Sequence, residues 1–573
     1  MEERALLAII ISIMIIVLYQ YFFIPKPEIR KKELEKKEIT TDRKEERIPF
    51  SEKEQESFNK LKEYQKKLKE KQITIETEKY VAKISNNGGR ITSWKLKDYY
   101  KEKSYETWPL KGDFWRQVRD SYKGIFKKKD NEIEDKQIID LIPDIEKDVK
   151  PPLDLKVLSE IDGIESFGEG IYSHDIVYFD SNSNDRRIKS IRMSFLDDKN
   201  IMIEKEMRFN EESYKVDLEI KIRNESKKNQ KIDYAIFWGP GIGKEKNKGG
   251  HHRFIGPVIW INGKKTRIKP KKIKDTISKK GQIEWIAFEN TYFAAAIIPE
   301  NKESEAIIYK KEIDDNEIIN IGLKHDKELF EPGEEIINKY ELYIGPKRKE
   351  DLIGIANNFT EIIDYGWFSF LAKPLIWFLK KSYDYIPNYG INIIILTIII
   401  KIIFWPLTEK SFGSMRDMQK IQPKMTELRE KYKNDPAKMN KEIMDLYKKQ
   451  GVNPLGGCLP MLLQIPVFFA LYEGLLVAIE MKGAPFMLWI KDLSVMDPLL
   501  ITPLLMGVTM YIQQKMMPTG MDPKQAKMMN LMPVLFTVFF LGFPSGLVIY
   551  WLLNNVLTIG HQYLIQRKTS VNA

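Results

Sequence analysis

A single lysine lies inside a strongly apolar run of the chain. Residues 389–408 read YGINIIILTIIIKIIFWPLT, and Lys401 is the one charged residue among them. A cation at the centre of a transmembrane helix costs roughly 2.5–3.5 kcal/mol, so a lysine kept there has a use, such as binding an anion. A rise of ~1.5 Å per residue places Lys401 just past the midplane of a ~30 Å hydrocarbon layer, with Trp405 at the far interface. The alternative is snorkelling, in which the long side chain carries the ammonium to that interface.

Residue types that support catalysis are sparse in the segment 73–346. Its histidines are scattered: His174, His251, His252 and His325. His251 and His252 are adjacent, so a strand would point them to opposite faces. The segment Gly239–Lys244 resembles a phosphate loop, but Trp238 takes the place of the first glycine, and a turn is the better interpretation. The single cysteine, Cys458, supports neither a disulfide framework nor a metal cluster. We therefore predict a protein that is not an enzyme and uses no cofactor or metal.

The segment 73–346 has the pattern of a β-domain. Short alternating runs are separated by Asn and Gly turn residues, without interleaved helices. Examples are Tyr80–Ile84, Ile201–Phe209, Tyr214–Arg223, Ile232–Trp238 and Lys339–Ile344. Many short strands in this arrangement predict a β-sandwich.

Charge and apolar stretches together indicate a membrane protein. A net charge of +11 suits an anionic membrane surface at least as well as nucleic acid, for which no binding motif is present. Residues 5–24 are too long for the core of a signal peptide, so we predict an uncleaved anchor at 1–25, with a signal peptide as the alternative. The Lys- and Glu-rich segment 26–72 predicts a solvated linker. Six spans are predicted in all: 5–24, 389–408, 455–479, 499–516, 529–543 and 545–565.

Lysine and arginine counts in the short loops set the orientation. The segment 409–451 holds eleven, whereas the loop 480–498 holds two. We therefore place 409–451, 517–528 and both termini in the cytoplasm, and 25–365, which includes the β-domain, outside. The Lys-rich residues after the first span run against this rule, but long domains translocate largely regardless of charge. Apolar residues at three- and four-residue spacing predict that 409–451 is a helical hairpin, in which Asn434-Asp435-Pro436 supplies a turn, a cap and a proline that opens the second helix.

The residues 347–388 connect the β-domain to the later spans. Within them, 366–382 mixes aromatic residues with three lysines and is too short to cross a bilayer. We predict a helix lying in the membrane interface, with Pro374 near its start; a buried soluble helix is the alternative.

Four motifs stand out in the C-terminal region: Asn453–Cys458, Ala484–Ile490, Met506–Met510 and Phe543–Trp551. They resemble the Oxa/YidC/Alb family of membrane protein insertases, and the likeness runs from about residue 366 to 567. The layout resembles the Gram-negative form, in the bacterial inner membrane. The resemblance implies a multi-span α-helical membrane protein with six transmembrane helices, five of them forming an insertase core at 389–567. It also implies that 73–346 is a periplasmic β-supersandwich similar to galactose-mutarotase folds.

The resemblance further implies how the core works. In this family a hydrophilic groove opens to the cytoplasm and to lipid, and a cation in it attracts acidic substrate tails. Lys401 is the matching position, where the family usually has arginine; lysine keeps the charge but lacks the planar fork of donors. The further candidates are Thr397, Gln464, Asn554 and Asn555 for the groove, and Tyr550 and Trp551 for contact with the substrate. Links between helices and plain packing are the alternatives for these residues.

The partners that the resemblance implies are newly made membrane proteins, the Sec translocon, the lipid bilayer and the ribosome. The short tail 568–573 weakens the case for the ribosome. Two other classes of function stay open. A transporter that binds an anionic solute at Lys401 would need further deep charges, for which Glu473 is the main candidate. An anchored sugar-active enzyme would need a set of histidine and carboxylate residues in 73–346, which the sequence does not reveal. The motifs favour the insertase.

Overall fold

The computed structural model describes residues 62–100, 138–143, 150–159, 163–167, 169–178, 187–243, 254–274, 276–313, 316–451, 459–516 and 523–571. The predicted anchor, most of the predicted linker, His251, His252 and the motif Asn453–Cys458 lie outside these ranges. The described ranges all belong to one structural unit, Phe58–Ala573.

The N-terminal part of this unit is built from antiparallel strands. They are β1 (Gln72–Glu76), β2 (Tyr80–Ser85), β3 (Arg90–Tyr100), β4 (Ile138–Asp140), β5 (Asp154–Ser159), β6 (Gly163–Phe167), β7 (Ser173–Tyr178), β8 (Ile188–Leu196), β9 (Ile201–Phe209), β10 (Lys215–Asn224), β11 (Gln230–Trp238), β12 (Gly256–Ile261), β13 (Lys264–Arg267), β14 (Ile277–Glu289), β15 (Phe293–Pro299), β16 (Glu303–Ile313), β17 (Asn316–Phe330) and β18 (Glu335–Pro346). Strands β1 to β4 form a four-stranded sheet in sequence order. The others form a 14-stranded sheet in the order β6-β5-β11-β17-β16-β14-β15-β18-β10-β9-β8-β7, in which β12 also pairs with β14, and β13 pairs with β12.

Side-chain alternation explains why these strands form a shared core. Along β10, Val216, Leu218, Ile220 and Ile222 are buried, and polar residues alternate with them. One hydrophobic cluster contains buried side chains of both sheets, including Trp94 on β3 as well as the β10 residues. The prediction that this part of the chain is β-rich is confirmed, and the domain bounds 73–346 stay a prediction. The finer description as a supersandwich also stays a prediction.

A buried charge cluster lies inside this core. The side chain of Lys205 on β9 is 1% exposed, and its ammonium donates hydrogen bonds to the carbonyl oxygens of Gly88 (2.7 Å) and Leu153 (2.8 Å). Nearby, the guanidinium of Arg90 pairs with the carboxylate of Asp154 at 2.5 Å, and both side chains are buried. The pKa of the Lys205 ammonium is lowered to about 7, mainly by burial and to a smaller extent by repulsion from the Arg90 guanidinium.

The C-terminal part is helical. The helices are α1 (Lys349–Leu352), α2 (Ser369–Tyr383), α3 (Tyr389–Ile403), α4 (Trp405–Lys431), α5 (Pro436–Gln450), α6 (Leu459–Val477), α7 (Ile501–Met516), α8 (Pro523–Phe540) and α9 (Ser545–Val571), with short 3-10 helices at Phe359–Ile362 and Ile479–Met481. A further 3-10 helix, Pro270–Lys272, lies between β13 and β14. A second hydrophobic cluster joins α2, α3, α6 and α9, with members such as Leu379, Leu396, Leu471 and Val548.

Helix α2 corresponds to the predicted interfacial helix. The helix begins at Ser369, and Pro374 lies inside it, beyond the first turn, rather than near its start. The ring of Pro374 is exposed. The opposite face of α2, which includes Ala372 and Leu379, packs in the helical hydrophobic cluster. On the outer face, Phe370 is 70% exposed and Trp377 is 64% exposed.

The apolar run 389–408 is divided between two helices. Helix α3 ends at Ile403 and α4 begins at Trp405, with a bend of 58° between them. Pro406 occupies the first turn of α4. Backbone N–H groups in a first turn have no acceptor within the helix, so a proline there costs no hydrogen bond. The bend therefore lies where one continuous span was predicted.

Helices α4 and α5 pack as a hairpin. Ile421 and Met425 of α4 are buried and lie against Ile443 and Leu446 of α5. The expected cap is present, since the Asp435 carboxylate accepts a hydrogen bond from the backbone N–H of Lys438 at 3.0 Å.

Measured by length and composition, no one helix within the described ranges is long and apolar enough to cross a membrane alone. The bent pair Tyr389–Ile403 and Trp405–Met418 meets that measure when taken together.

Candidate functional site

Lys401 is a buried cation between α3 and α9. Its side chain is 6% exposed, and its ammonium donates to the Thr558 hydroxyl at 2.6 Å. That hydroxyl donates in turn to the backbone carbonyl of Asn554 at 2.6 Å, so it meets the ammonium with a lone pair. Among the described residues no carboxylate pairs with Lys401. The site therefore holds a positive charge that an incoming carboxylate would neutralise.

Four buried polar residues form a row along α9, which we term the α9 polar stripe: Asn554, Thr558, His561 and Gln562. Their spacing of four, three and one residues puts them on one side of the helix. Gln464 on α6 extends the row, because its amide exchanges two hydrogen bonds with the Asn554 amide, at 3.2 and 3.3 Å. The hydrogen bonds therefore link three predicted candidates, Lys401, Gln464 and Asn554, through Thr558.

Two other polar candidates are directed differently. The hydroxyl of Thr397 is buried and donates to the carbonyl of Ile393 in its own helix at 2.6 Å. The Asn555 amide donates to the Met506 carbonyl at 3.4 Å and to the Thr509 hydroxyl at 3.3 Å. This geometry fits the alternative role of Asn555 as a link, here between α9 and α7.

The two aromatic candidates lie in packed surroundings. Tyr550 is 2% exposed within the helical hydrophobic cluster. The Trp551 ring packs edge-on against Phe468, with centroids 4.9 Å apart, and lies 5.5 Å from Phe540. The indole N–H of Trp551 is buried and has no hydrogen-bond partner among the described residues. Packing accounts for the positions of both side chains, and a role in substrate contact stays a prediction.

Three of the four residues of the α9 polar stripe, Thr558, His561 and Gln562, were not among the residues predicted from the sequence. His561 stacks on Trp405 with centroids 3.8 Å apart and meets Phe412 edge-on at 5.4 Å. Both ring nitrogens of His561 and the side-chain oxygen of Gln562 are buried. None of these three atoms makes a hydrogen bond within the described part of the chain. The signal that identifies Thr558, His561 and Gln562 is helical spacing from Asn554, which only a residue-by-residue helical projection makes visible.

The residues behind the two alternative functions lie elsewhere. Glu473 on α6 lies against Gly366, on the side of the β-domain. In the β-domain, Nε2 of His325 lies 2.8 Å from a carboxylate oxygen of Glu303 and 2.6 Å from the hydroxyl of Tyr340. The sequence analysis missed this grouping because the three residues come from β17, β16 and β18. His174 lies on β7, in another part of the sheet.

Comparison with known proteins covers both parts of the chain. The model of the 60Kd inner membrane protein family matches residues 381–572, and that of the YidC periplasmic domain matches residues 167–378. A membrane protein insertase YidC from Syntrophus aciditrophicus is 40% identical over 87% of this chain and 86% of its own length. The chain belongs to the YidC family of membrane protein insertases.

Two further matches also cover most of this chain. A membrane protein insertase YidC from Geotalea daltonii is 36% identical over 99% of both chains. A crystal structure of an active YidC insertase is 18% identical and covers 86% of this chain and 92% of its own, with a TM-score of 0.35. Membership makes this chain an inner-membrane insertase with a periplasmic domain, acting on membrane protein substrates. The YidC family is not a class of enzymes; that this chain lacks catalytic activity stays a prediction.

Proposed function

We propose that the chain inserts membrane proteins through a polar groove formed by Lys401, Gln464 and the α9 polar stripe. The observation that carries the proposal is the buried Lys401 ammonium, whose described partner is the neutral Thr558 hydroxyl rather than a carboxylate. A buried cation without a counter-ion attracts an anion more strongly than the same cation does in water, because the surroundings screen less. We propose that the anions attracted by Lys401 are acidic residues in the tail of a substrate.

The groove lowers the barrier for the polar tail, which otherwise crosses hydrocarbon with unsatisfied groups. The amides of Gln464 and Asn554, and the His561 ring, which makes no hydrogen bond to any described residue, offer replacement hydrogen bonds along the tail's path. Burial of the substrate's adjoining apolar segment in lipid then supplies the driving force. We include Thr397, Asn555, Tyr550 and Trp551 as supporting residues of the groove walls.

The proposed topology follows the distribution of lysine and arginine. It has six spans, an anchor at 1–25, a linker at 26–72, a periplasmic domain at 73–346, connecting helices at 347–388, a core at 389–567 and a tail at 568–573. Both termini and the hairpin at 409–451 are cytoplasmic. The proposed partners besides newly made membrane proteins are the Sec translocon and, less strongly, the ribosome; the chain also acts alone. We propose no cofactor, metal or specific nucleic acid.

The test is reconstitution of the full chain in liposomes. A single-span substrate with an acidic N-terminal tail is added, and protease protection of the tail is measured over time. We expect Lys401→Ala to slow protection roughly tenfold, the loss expected when a hydrogen bond to a charged group is removed. Lys401→Arg keeps the charge and should retain most of the activity. Lys410→Ala, which removes an exposed lysine at the start of α4, is the matched control.

The same variants are tested with a substrate whose tail is neutral. Loss with the acidic tail alone supports attraction by Lys401. Equal loss with both tails assigns Lys401 a structural role and refutes the attraction. Full protection by Lys401→Ala with both tails leaves the insertase and removes the cation from the mechanism.

A further inference from the structure

His561 lies one helical turn from the residue that contacts Lys401. Thr558 accepts the hydrogen bond from the Lys401 ammonium and precedes His561 by three residues on α9, so both side chains share one side of the helix. Across from them, Trp405 follows Lys401 by four residues, and its indole stacks on the His561 ring with centroids 3.8 Å apart. The pairs Lys401–Thr558 and Trp405–His561 therefore form consecutive layers, separated by about 4.5 Å along α9.

Aromatic contacts hold the His561 ring in place. The Trp405 indole covers one face of the ring, with an angle of 22° between the two planes, and Phe412 meets it edge-on with centroids 5.4 Å apart. The His561 side chain is 3% exposed. Because the ring is fixed from two directions, its nitrogens have defined positions before any ligand arrives, which reduces the entropy that binding costs.

The nitrogens of this fixed ring are a source of unsatisfied hydrogen bonding. Both are buried, and neither makes a hydrogen bond to any described residue. At least one of them carries a hydrogen in either protonation state of an imidazole, so the ring always offers a donor. A buried donor without an acceptor is costly, and a ligand that accepts its hydrogen bond removes that cost.

The charges near His561 select the kind of ligand. Within the described ranges, Lys401 and Glu409 are the charged residues that act on the ring. Glu409 is exposed, so water and salt screen its charge, whereas the buried Lys401 is screened much less. The surroundings of the ring therefore favour an anion. An ionised carboxylate suits both residues, because it only accepts hydrogen bonds and has two oxygens with which to do so.

One carboxylate reaches both donors. Hydrogen bonds of about 2.8 Å to its two oxygens together span more than the ~4.5 Å between the two layers. The Lys401 ammonium carries three hydrogens, and among the described residues Thr558 accepts one of them. The ammonium and the ring N–H are therefore both able to donate to the same ligand.

Access to the His561 nitrogens requires a covering side chain to move. Trp405 is 40% exposed, so its indole borders open space on one side. It is also the first residue of α4, directly after the bend that follows Ile403. Exposed side chains change rotamer within nanoseconds, so rotation of the indole uncovers the ring without a slow movement of either helix.

We propose that His561 is a specificity-determining residue of the insertase and shares one carboxylate of the substrate's acidic tail with Lys401. The Lys401 ammonium donates to one oxygen, and a ring N–H of His561 donates to the other. Two donors that converge on one carboxylate distinguish an acidic tail from a tail that is merely polar. This inference rests on the proposed groove, because it assigns a second contact to the same substrate residue.

The test measures insertion by the full chain in liposomes. One substrate carries a single aspartate in its N-terminal tail, and a matched substrate carries alanine in its place. His561→Phe keeps a flat ring against Trp405 and removes the donor. We expect this variant to slow protease protection of the aspartate tail roughly tenfold, and that of the alanine tail by no more than about twofold, because only the carboxylate uses the lost hydrogen bond.

Two further variants separate hydrogen bonding from packing. His561→Gln loses the stacked ring but keeps an N–H donor, so it should insert the aspartate tail faster than His561→Phe does. A slower rate than that of His561→Phe would assign His561 a packing role and refute the proposal. Tyr563→Phe removes a hydroxyl from a residue of α9 that is 58% exposed, and this control should match the wild type.

A double variant tests whether the carboxylate is shared. Two independent contacts, each worth tenfold, would slow insertion of the aspartate tail about a hundredfold when Lys401→Ala is combined with His561→Phe. Sharing predicts a loss well short of that, because each donor positions the carboxylate for the other. A hundredfold loss overturns the sharing, and an equal loss with both tails overturns the specificity role. If Lys401→Ala slows the aspartate tail and His561→Phe does not, the groove stands and this inference fails. If neither variant slows it, the proposed function fails as well.

Discussion

The buried Lys205 of the periplasmic domain predicts an unusual dependence of stability on pH. Its pKa is about 7 in the folded protein, whereas the ordinary value for lysine is 10.5. Between these two values the unfolded chain binds more protons than the folded chain, so the free energy of unfolding rises with pH. The penalty for burying the charge is complete below the folded pKa and is relieved as pH rises through this window.

The magnitude follows from the same two values. One pKa unit corresponds to roughly 1.4 kcal/mol, so Lys205 adds roughly 3 kcal/mol of stability between pH 7 and about pH 9.5. The pH series stops there because buried tyrosines begin to matter at higher pH. Burial raises the pKa of tyrosines such as Tyr172, so their contribution to the free energy of unfolding falls as pH rises above the pKa of an unfolded tyrosine.

The assay is equilibrium unfolding of the full chain in urea, followed by fluorescence of the buried tryptophans, at a series of pH values. Lys205→Met removes the titrating group. It also removes the hydrogen bonds from Lys205 to the carbonyls of Gly88 and Leu153, which lowers the free energy of unfolding by an amount that does not depend on pH. We expect the variant to lose the rise of roughly 3 kcal/mol. Lys83→Met, at an exposed position on β2, should keep it. The same slope in wild type and Lys205→Met, or a flat wild-type profile, would show that the buried ammonium is not the titrating group.

Two further predictions concern the helical part. Asp435→Ala removes the cap of α5 and should cost about 1 kcal/mol, seen as roughly fivefold faster amide hydrogen exchange in α5; Asp445→Ala, inside the same helix, should have little effect, and equal acceleration by both would contradict the capping role. Thr558→Val removes the hydroxyl that accepts from Lys401 and should slow insertion of acidic-tailed substrates severalfold, whereas Thr558→Ser should not. Indistinguishable rates for the two Thr558 variants would exclude that hydrogen bond from the mechanism.

Local patterns predicted the strands well. The predicted strand Ile201–Phe209 coincides with β9, and Tyr80–Ile84 differs from β2 by one residue. Alternation even places Lys205 in phase with the buried Ile203 and Met207. The sequence cannot show what makes a lysine tolerable there, since its acceptors, Gly88 and Leu153, lie far away in the chain.

The helical site was predicted less completely, for two physical reasons. Lys401 stands out because its charge conflicts with its apolar neighbours, whereas Thr558 and His561 are ordinary residues until the helix brings them onto the same side as Asn554. The bend after Ile403 was missed because Pro406 was taken as the end of a span rather than as the first turn of a new helix.

The place of β18 in the large sheet sets an order of events during synthesis. It is the last strand of the domain along the chain, yet it lies between β15 and β10 and pairs with both. Until residues 335–346 emerge, the pairing that joins the two halves of the sheet is missing, and β15 and β10 are open edges. Open edges pair readily with foreign strands. A chain halted before Glu335 is therefore exposed to aggregation, and the domain closes at the moment when the segment leading to the helices is made.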